Sequence, residues 1–253
     1  MPGRPYVLAE TTWSVVKETA YQVAVLPWGA LEAHNFHLPY GTDTIETEAI
    51  AAAAAGLAWE QGARVIVLPA VPYGVNTGQI DIPLDINLNP STQLAVLRDI
   101  AAVLEHQGIT RLVLLNGHGG NDFKPLVREL WPEYDLLICI LAWYAMGEDD
   151  MFVDKGDHAG EMETSLMQYL KPEWVLPLEK AGDGRTRAFK VQALREGWAW
   201  TQRDWKRATV DTGVGDPRPA SPVKGREFFD RLAARIAGFL VELSAVDPDD
   251  LYE

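Results

Sequence analysis

The sequence predicts a three-layer α/β/α fold built on a mostly parallel sheet. Two patterns carry that expectation. Short runs are apolar at nearly every position, and helical segments of amphipathic or alanine-rich character separate them. Strands covered by helices on both faces lose the in/out alternation of a half-exposed strand, so near-continuous apolar runs between helices indicate a parallel sheet. A third observation agrees. The polar clusters fall directly after apolar runs, where open parallel sheets bind their ligands.

In chain order, YQVAVLP (21–27) reads as the first strand and IETEAIAAAAAGLAWEQG (45–62) as a buried helix closing at Gly62. ARVIVLPAVPYG (63–74) is the next strand. STQLAVLRDIAAVLEHQG (91–108) is a helix opened by Ser91 and closed by Gly108. RLVLLNG (111–117) is a strand, DFKPLVRELW (122–131) a short helix, DLLICILAW (135–143) a strand and GEMETSLMQYL (160–170) a helix. Residues 181–222 break the rhythm with Gly, Pro, Arg and Trp, and read as a long excursion with room for a hairpin. The segment 224–244 restores an amphipathic closing helix with Phe228, Leu232, Ile236 and Leu240 near one face. With no internal repeat and no linker, residues 1–253 are expected to form one domain.

The 253 residues are 47% hydrophobic, enough for a substantial core. AIAAAAAGLAW (49–59) is bracketed by Glu46, Glu48 and Glu60, so it is a buried helix and not a membrane span. The start of the chain lacks the basic and apolar regions of a signal peptide, and Cys139 is single, so a cytoplasmic location is expected. The net charge of −14 repels phosphate backbones and anionic membranes, which argues against nucleic-acid and membrane partners. RDWKRAT (203–209) is the most basic window and reads as a solvated loop or subunit contact.

Four of the five histidines fall in the clusters that follow strands: His34, His37, His118 and His158. His106 sits near a helix end, where the dipole favours partial positive charge, and is given no function. Glu32 and His34 are two apart and project to one side of an extended segment, whereas His37 is off that register. Asp43 arrives just before the expected helix and has an ordinary reading as its N-cap. Beside Glu32 and His34 it reads better as a ligand, because carboxylates left unpaired in an apolar cleft are costly and a divalent ion removes the penalty. NGHGGN places His118 between glycines that let the backbone turn sharply, and its spacing matches neither a Walker loop nor GxGxxG. In the helix from 160, Ala159, Leu166, Met167 and Leu170 share a stripe with Glu163, which is therefore a buried carboxylate and a site residue. Glu161 falls nearly opposite and reads as a solvated charge. Trp143, Tyr144 and Gln79 are candidate walls of a substrate pocket, with core packing the equal alternative for Trp143 and Tyr144.

GALEAHNFHLPYGTD, NGHGGN, GDHAGEMETS and TGVGDPRPASPVKG, in that order, resemble the creatininase (creatinine amidohydrolase) family over most of the chain. The resemblance implies an α/β/α fold, a homo-oligomer that is usually a hexamer, and hydrolysis of amide-type C–N bonds with divalent metal. By position it implies that Glu32, His34, Asp43 and His118 are metal ligands, with Asp43 bridging two ions. It implies that His158 transfers protons, with Asp157 beside it. The family's last ligand, a Glu two residues after the His matching His118, is here Gly120, and Glu163 is the candidate replacement. NTGQIDIPLD (76–85) departs from the relatives' pocket segment, with Gln79 where a His is common, which points away from creatinine itself. The expected activity is hydrolysis of a small amide, cyclic amide or formamide by one or two Zn, Mn or Fe(II) ions, which an oxygen and imidazole ligand set suits. A metal-dependent isomerase and a non-catalytic binding member of the fold are the rival readings.

Overall fold

The computed structural model describes residues 3–146, 149–248 and 250–252. Four strands form a parallel sheet in the order β2-β1-β3-β4: β1 (Val23–Trp28), β2 (Val65–Val67), β3 (Arg111–Asn116) and β4 (Leu137–Ala142). The helices between and after them are α1 (Thr42–Glu60), α2 (Pro90–His106), α3 (Phe123–Leu130), α4 (Glu161–Leu170) and α5 (Pro222–Ala245). The predicted fold class holds.

Strand periodicity divides the core into two layers. Val23, Val25, Val113 and Leu115 face α1 (Ile50, Ala54, Ala58) and α5 (Phe228, Leu232, Ile236, Leu240). Ala24, Leu26, Trp28, Leu112 and Leu114 face α2 (Leu97, Ala101, Leu104) and α3 (Phe123, Leu126, Leu130). Both faces of β1 and β3 are covered, which is why β1 and the Leu112–Leu115 run of β3 are apolar at every position. Alanines along α1 bring it close to both the sheet and α5. Register pairs Trp28 with Asn116, so the loops leaving β1 and β3 emerge side by side. That adjacency brings residues 31–43 and 117–121 together.

Several expectations need correction. Asp43 lies inside the first turn of α1, not before it; Gly41 occupies the cap position and no side chain caps the helix. Ser91 likewise falls inside α2, whose N-cap is Asn89. β2 stops at Val67, two residues before Pro69, which has no N–H for the ladder. The excursion forms no hairpin: one antiparallel bridge, Thr186 with Thr209, joins its limbs, and two single helical turns (Gln192–Arg195 and Trp205–Ala208) occupy it. β4 is half-buried at the sheet edge, and its Cys139 packs against the core. Among the described residues no helix is long and apolar enough to cross a membrane.

Candidate metal centre

The chain leaving β1 curls back on itself. Asn35 adopts φ 53°, a left-handed conformation that Asn tolerates, and its Oδ1 accepts from Gly182 N at 2.7 Å. This turn sets Glu32 and His34 inward, and both are buried. The strand-to-helix loop after β3 delivers His118. His158 is held by an antiparallel bridge to Val214, so the TGVGD segment positions it.

Three overlapping trios bring ligand atoms within 4.8 Å of one another: Glu32, Asp43 and His118; His34, Asp43 and Glu163; Glu32, His34 and His158. Asp43 belongs to the first two. Its Oδ1 lies 2.8 Å from His34 Nε2 and its Oδ2 lies 3.1 Å from His118 Nδ1. His118 Nδ1 is also 2.8 Å from Glu32 Oε1, and His158 Nδ1 is 3.7 Å from the same oxygen. Thus Glu32, His34, Asp43, His118 and Glu163, singled out in the sequence, converge on one buried volume together with His158.

The three imidazoles share one arrangement. His34 Nδ1 faces the carbonyl of Glu32 at 3.0 Å, His118 Nε2 that of Val75 at 3.0 Å, and His158 Nε2 that of Ala33 at 2.8 Å. A carbonyl only accepts, so each outer nitrogen carries the proton and each inner nitrogen is turned to the carboxylates. Metal-ligating histidines are fixed in this way. His37 differs: its Nε2 meets Thr164 Oγ1 at 2.9 Å, outside the cluster, and burial pushes its pKa down to about 4.

The electrostatics favour positive charge at the two ligand positions. Burial opposes a charge on His34, but Asp43, Glu163 and Glu32 overcome it and push the pKa up to about 10. His118 is raised well above its usual value by Glu32 and Asp43, again against burial. Burial also opposes ionisation of Asp43, yet His34 and His118 hold it well below the carboxylate range. Glu163 is raised by burial, and its carboxylate accepts from the N–H of Ala159, a non-glycine residue at φ 50°. Strain of that kind collects at functional sites. The donor set of oxygen and imidazole, the shared Asp43 and the anchored ring tautomers fit one or two divalent ions such as Zn, Mn or Fe(II).

Gly120 cannot supply a ligand. A Cβ there would lie 2.3 Å from Val75 O and 2.4 Å from His118 Nε2, so no side chain fits while His118 keeps its place.

Other site residues fall where the sequence did not put them. Glu161, expected to be solvated, is fully buried: it pairs with Lys224 and accepts from Val153 N at 2.7 Å and Asp154 N at 3.0 Å. Asp157 turns away from His158; its Oδ2 is 2.9 Å from Arg203 Nη1. Of the two readings of Trp143, pocket wall or core, the structure takes the second: it is 1% exposed in the core behind Thr47, whose Oγ1 accepts from its Nε1 at 3.0 Å. Tyr144 does line a cavity of about 270 Å³ over the cluster. Gln79 is buried, donates to Glu32 and lines a larger adjoining cavity of about 560 Å³.

Sequence reading missed three features. Glu46 is fully buried with neither oxygen hydrogen-bonded, and burial beside Glu163 and Asp43 raises its pKa well above normal. Its spacing of three from Asp43 on one helix was the available signal. Asp85 holds Ala33 N at 2.8 Å beneath the Glu32 loop. Trp205 meets the His158 ring edge-on at 5.0 Å, and Arg203 stacks over Trp205 at 4.9 Å. Within the basic window 203–209, read as a solvated loop or subunit contact, Arg203 and Trp205 line the larger cavity while Arg207 is solvent-exposed.

Residues 9–240 match the family model described as Creatininase: Creatinine amidohydrolase. A crystal structure of a Bacteroides fragilis NCTC 9343 protein, provisionally described as a creatinine amidohydrolase, aligns with TM-score 0.92 and 42% identity over 98% of this chain and 99% of its own. The mycofactocin precursor peptide peptidase of Mycobacterium ulcerans (strain Agy99) is 30% identical over 84% of each chain. Two creatininase structures, a mutant of Zn–Zn type and one with Mn, share the fold with TM-score 0.78 at 24% identity, over 96% of this chain and 100% of theirs.

Proposed function

This chain is a member of the creatininase family, and from that premise we propose that it hydrolyses an amide C–N bond in a small substrate: a simple amide, a cyclic amide, a formamide or a short peptide. The last is added because the Mycobacterium ulcerans relative is named a peptidase. The single observation that carries the reading is the set of three buried imidazoles, each tied outward to a backbone carbonyl and turned inward to shared carboxylates.

In this reading Glu32, Asp43 and His118 would hold one divalent ion, and His34, Asp43 and Glu163 would hold a second. Such ions supply Lewis acidity and make water nucleophilic near neutral pH. Gln79 steadies Glu32 by donating to its carboxylate. His158 sits where the two cavities meet, with Nε2–H fixed by Ala33 O. Its Nδ1 takes a proton from the attacking water and passes it to the departing nitrogen, so amide and water become carboxylate and amine. Asp157 acts through Arg203 and not on His158 directly.

The proposal extends to one domain over residues 1–253 and to a cytoplasmic homo-oligomer, hexameric by family habit. Trp198 and Trp200, 75% and 83% exposed, support a subunit contact or a ligand-facing surface.

The test is product analysis with Zn- or Mn-loaded protein across lactams, formamides and short peptides. Release of equal amounts of amine and carboxylate is expected. Products of unchanged mass would identify an isomerase instead, and no turnover on any class would overturn the reading.

A further inference from the structure

The larger cavity is lined on one side by Asn76, Gly78 and Gln79 and on the other by residues of the 189–205 excursion. The excursion is seated firmly: a Cβ on Gly78 would lie 2.2 Å from Arg203 O, so only glycine admits this approach of backbone to backbone. Arg203 is the one Lys or Arg lining this cavity among the described residues. Its guanidinium carbon lies over the Trp205 ring, 4.9 Å from the centroid, and that ring makes a T-shaped contact with His158. Among the described residues its guanidinium has one polar partner, Asp157, through Nη1 at 2.9 Å.

His158 defines a direction in the site. The group that protonates the departing nitrogen stands on the amine side of the scissile bond, so whatever that nitrogen carries extends toward Trp205 and Arg203. A guanidinium has five donors in a planar fork that matches a carboxylate, and stacking on Trp205 pre-orders it. Asp157 occupies one donor and leaves the rest of the fork. The other carboxylates lining the cavity, Glu32 and Asp122, disfavour an anionic group away from Arg203, whose guanidinium Asp157 engages through one nitrogen.

We propose that Arg203 is a specificity-determining residue that receives a carboxylate on the amine half of the substrate. The preferred substrates are then N-acyl amino acids or short peptides cleaved at an amide whose amine half ends in a free carboxylate. This rests on the amide-hydrolase reading above and names its substrate class. Asp157 is a positioning residue for Arg203.

The experiment compares matched substrates in the Zn- or Mn-loaded protein: N-acyl amino acids and their carboxamides, identical at the scissile bond. A charge-assisted pair corresponds to a preference of about 10- to 100-fold in kcat/KM for the free acid, expressed mainly in KM. Arg203→Gln should collapse that ratio toward one, and Arg203→Lys should retain part of it. Calorimetric binding of a free dipeptide, weakened by Arg203→Gln, reads the same contact without turnover. Equal use of acid and carboxamide by the unaltered protein, or an unchanged ratio in Arg203→Gln, overturns the assignment. If the protein binds the dipeptide through Arg203 but hydrolyses no amide, the carboxylate site stands and the hydrolase reading falls.

Discussion

A Cβ on Gly120 would lie 2.4 Å from His118 Nε2, so the position to which the family resemblance assigns a Glu ligand is sterically closed in this chain. Glu163, on α4, places a carboxylate oxygen within 4.8 Å of ligand atoms of His34 and Asp43, and in the proposed reading it would serve the second ion position.

Replacing Gly120 therefore does not restore a ligand. Gly120→Ala should lower stability by about 1–3 kcal/mol through overpacking. Gly120→Glu should lose metal through displacement of His118. Denaturant unfolding and metal content of the two variants check this; an added ion in Gly120→Glu would contradict it.

Glu161 and Glu163 are two residues apart on one helix and have opposite consequences. Glu161→Leu leaves Lys224 and the N–H groups of Val153 and Asp154 without their partner, a loss of about 3–5 kcal/mol with metal content retained. Glu163→Gln should instead remove one ion. Unfolding curves set beside elemental analysis separate the two roles, and identical behaviour of both variants would refute the division.

Asp85 predicts a pH dependence. Burial pushes its pKa up to about 7 from an ordinary 3.8, against the N–H of Ala33, which it accepts. The fold thus binds this proton more tightly than the unfolded chain does. Stability from this group is fullest below pH 3.8 and declines as pH rises to about 7. Asp85→Asn keeps an oxygen for Ala33 and removes the titration. Its Tm relative to the unaltered protein should rise between pH 5 and pH 8; a constant difference would count against the shift.

His158→Ala should keep the metal and lower kcat by about 10²- to 10⁴-fold, the usual worth of a positioned proton-transfer group. Because His158 also lies in a trio with Glu32 and His34, loss of metal in this variant would make it a ligand and not a proton carrier.

The sequence carried the fold because β1 and β3 are covered on both faces, and that forces unbroken apolar runs which no surface strand needs. It carried the candidate ligands because Glu32, His34, Asp43 and His118 come after β1 and β3, whose ends the parallel pairing sets side by side. Glu163 was legible from its place among Leu166, Met167 and Leu170. Glu161 was not: its partner Lys224 comes from α5, and a helical wheel does not register a second helix packing over the polar side. Trp143 and Tyr144 are neighbours whose different fates depend on the 3-10 turn Trp143–Ala145 that follows β4 and has no strand alternation to read. The wall formed by Arg203 and Trp205 was hidden for a similar reason, since an irregular segment has no periodicity to say which side faces in.

The most direct test of the account is elemental analysis of protein purified without added metal, then titrated with Zn and with Mn, beside Asp43→Asn of verified fold. Because one carboxylate serves both positions, the account predicts up to two divalent ions per chain in the unaltered protein and near-complete loss in the variant. No bound ion in the first, or equal binding in both, would contradict it.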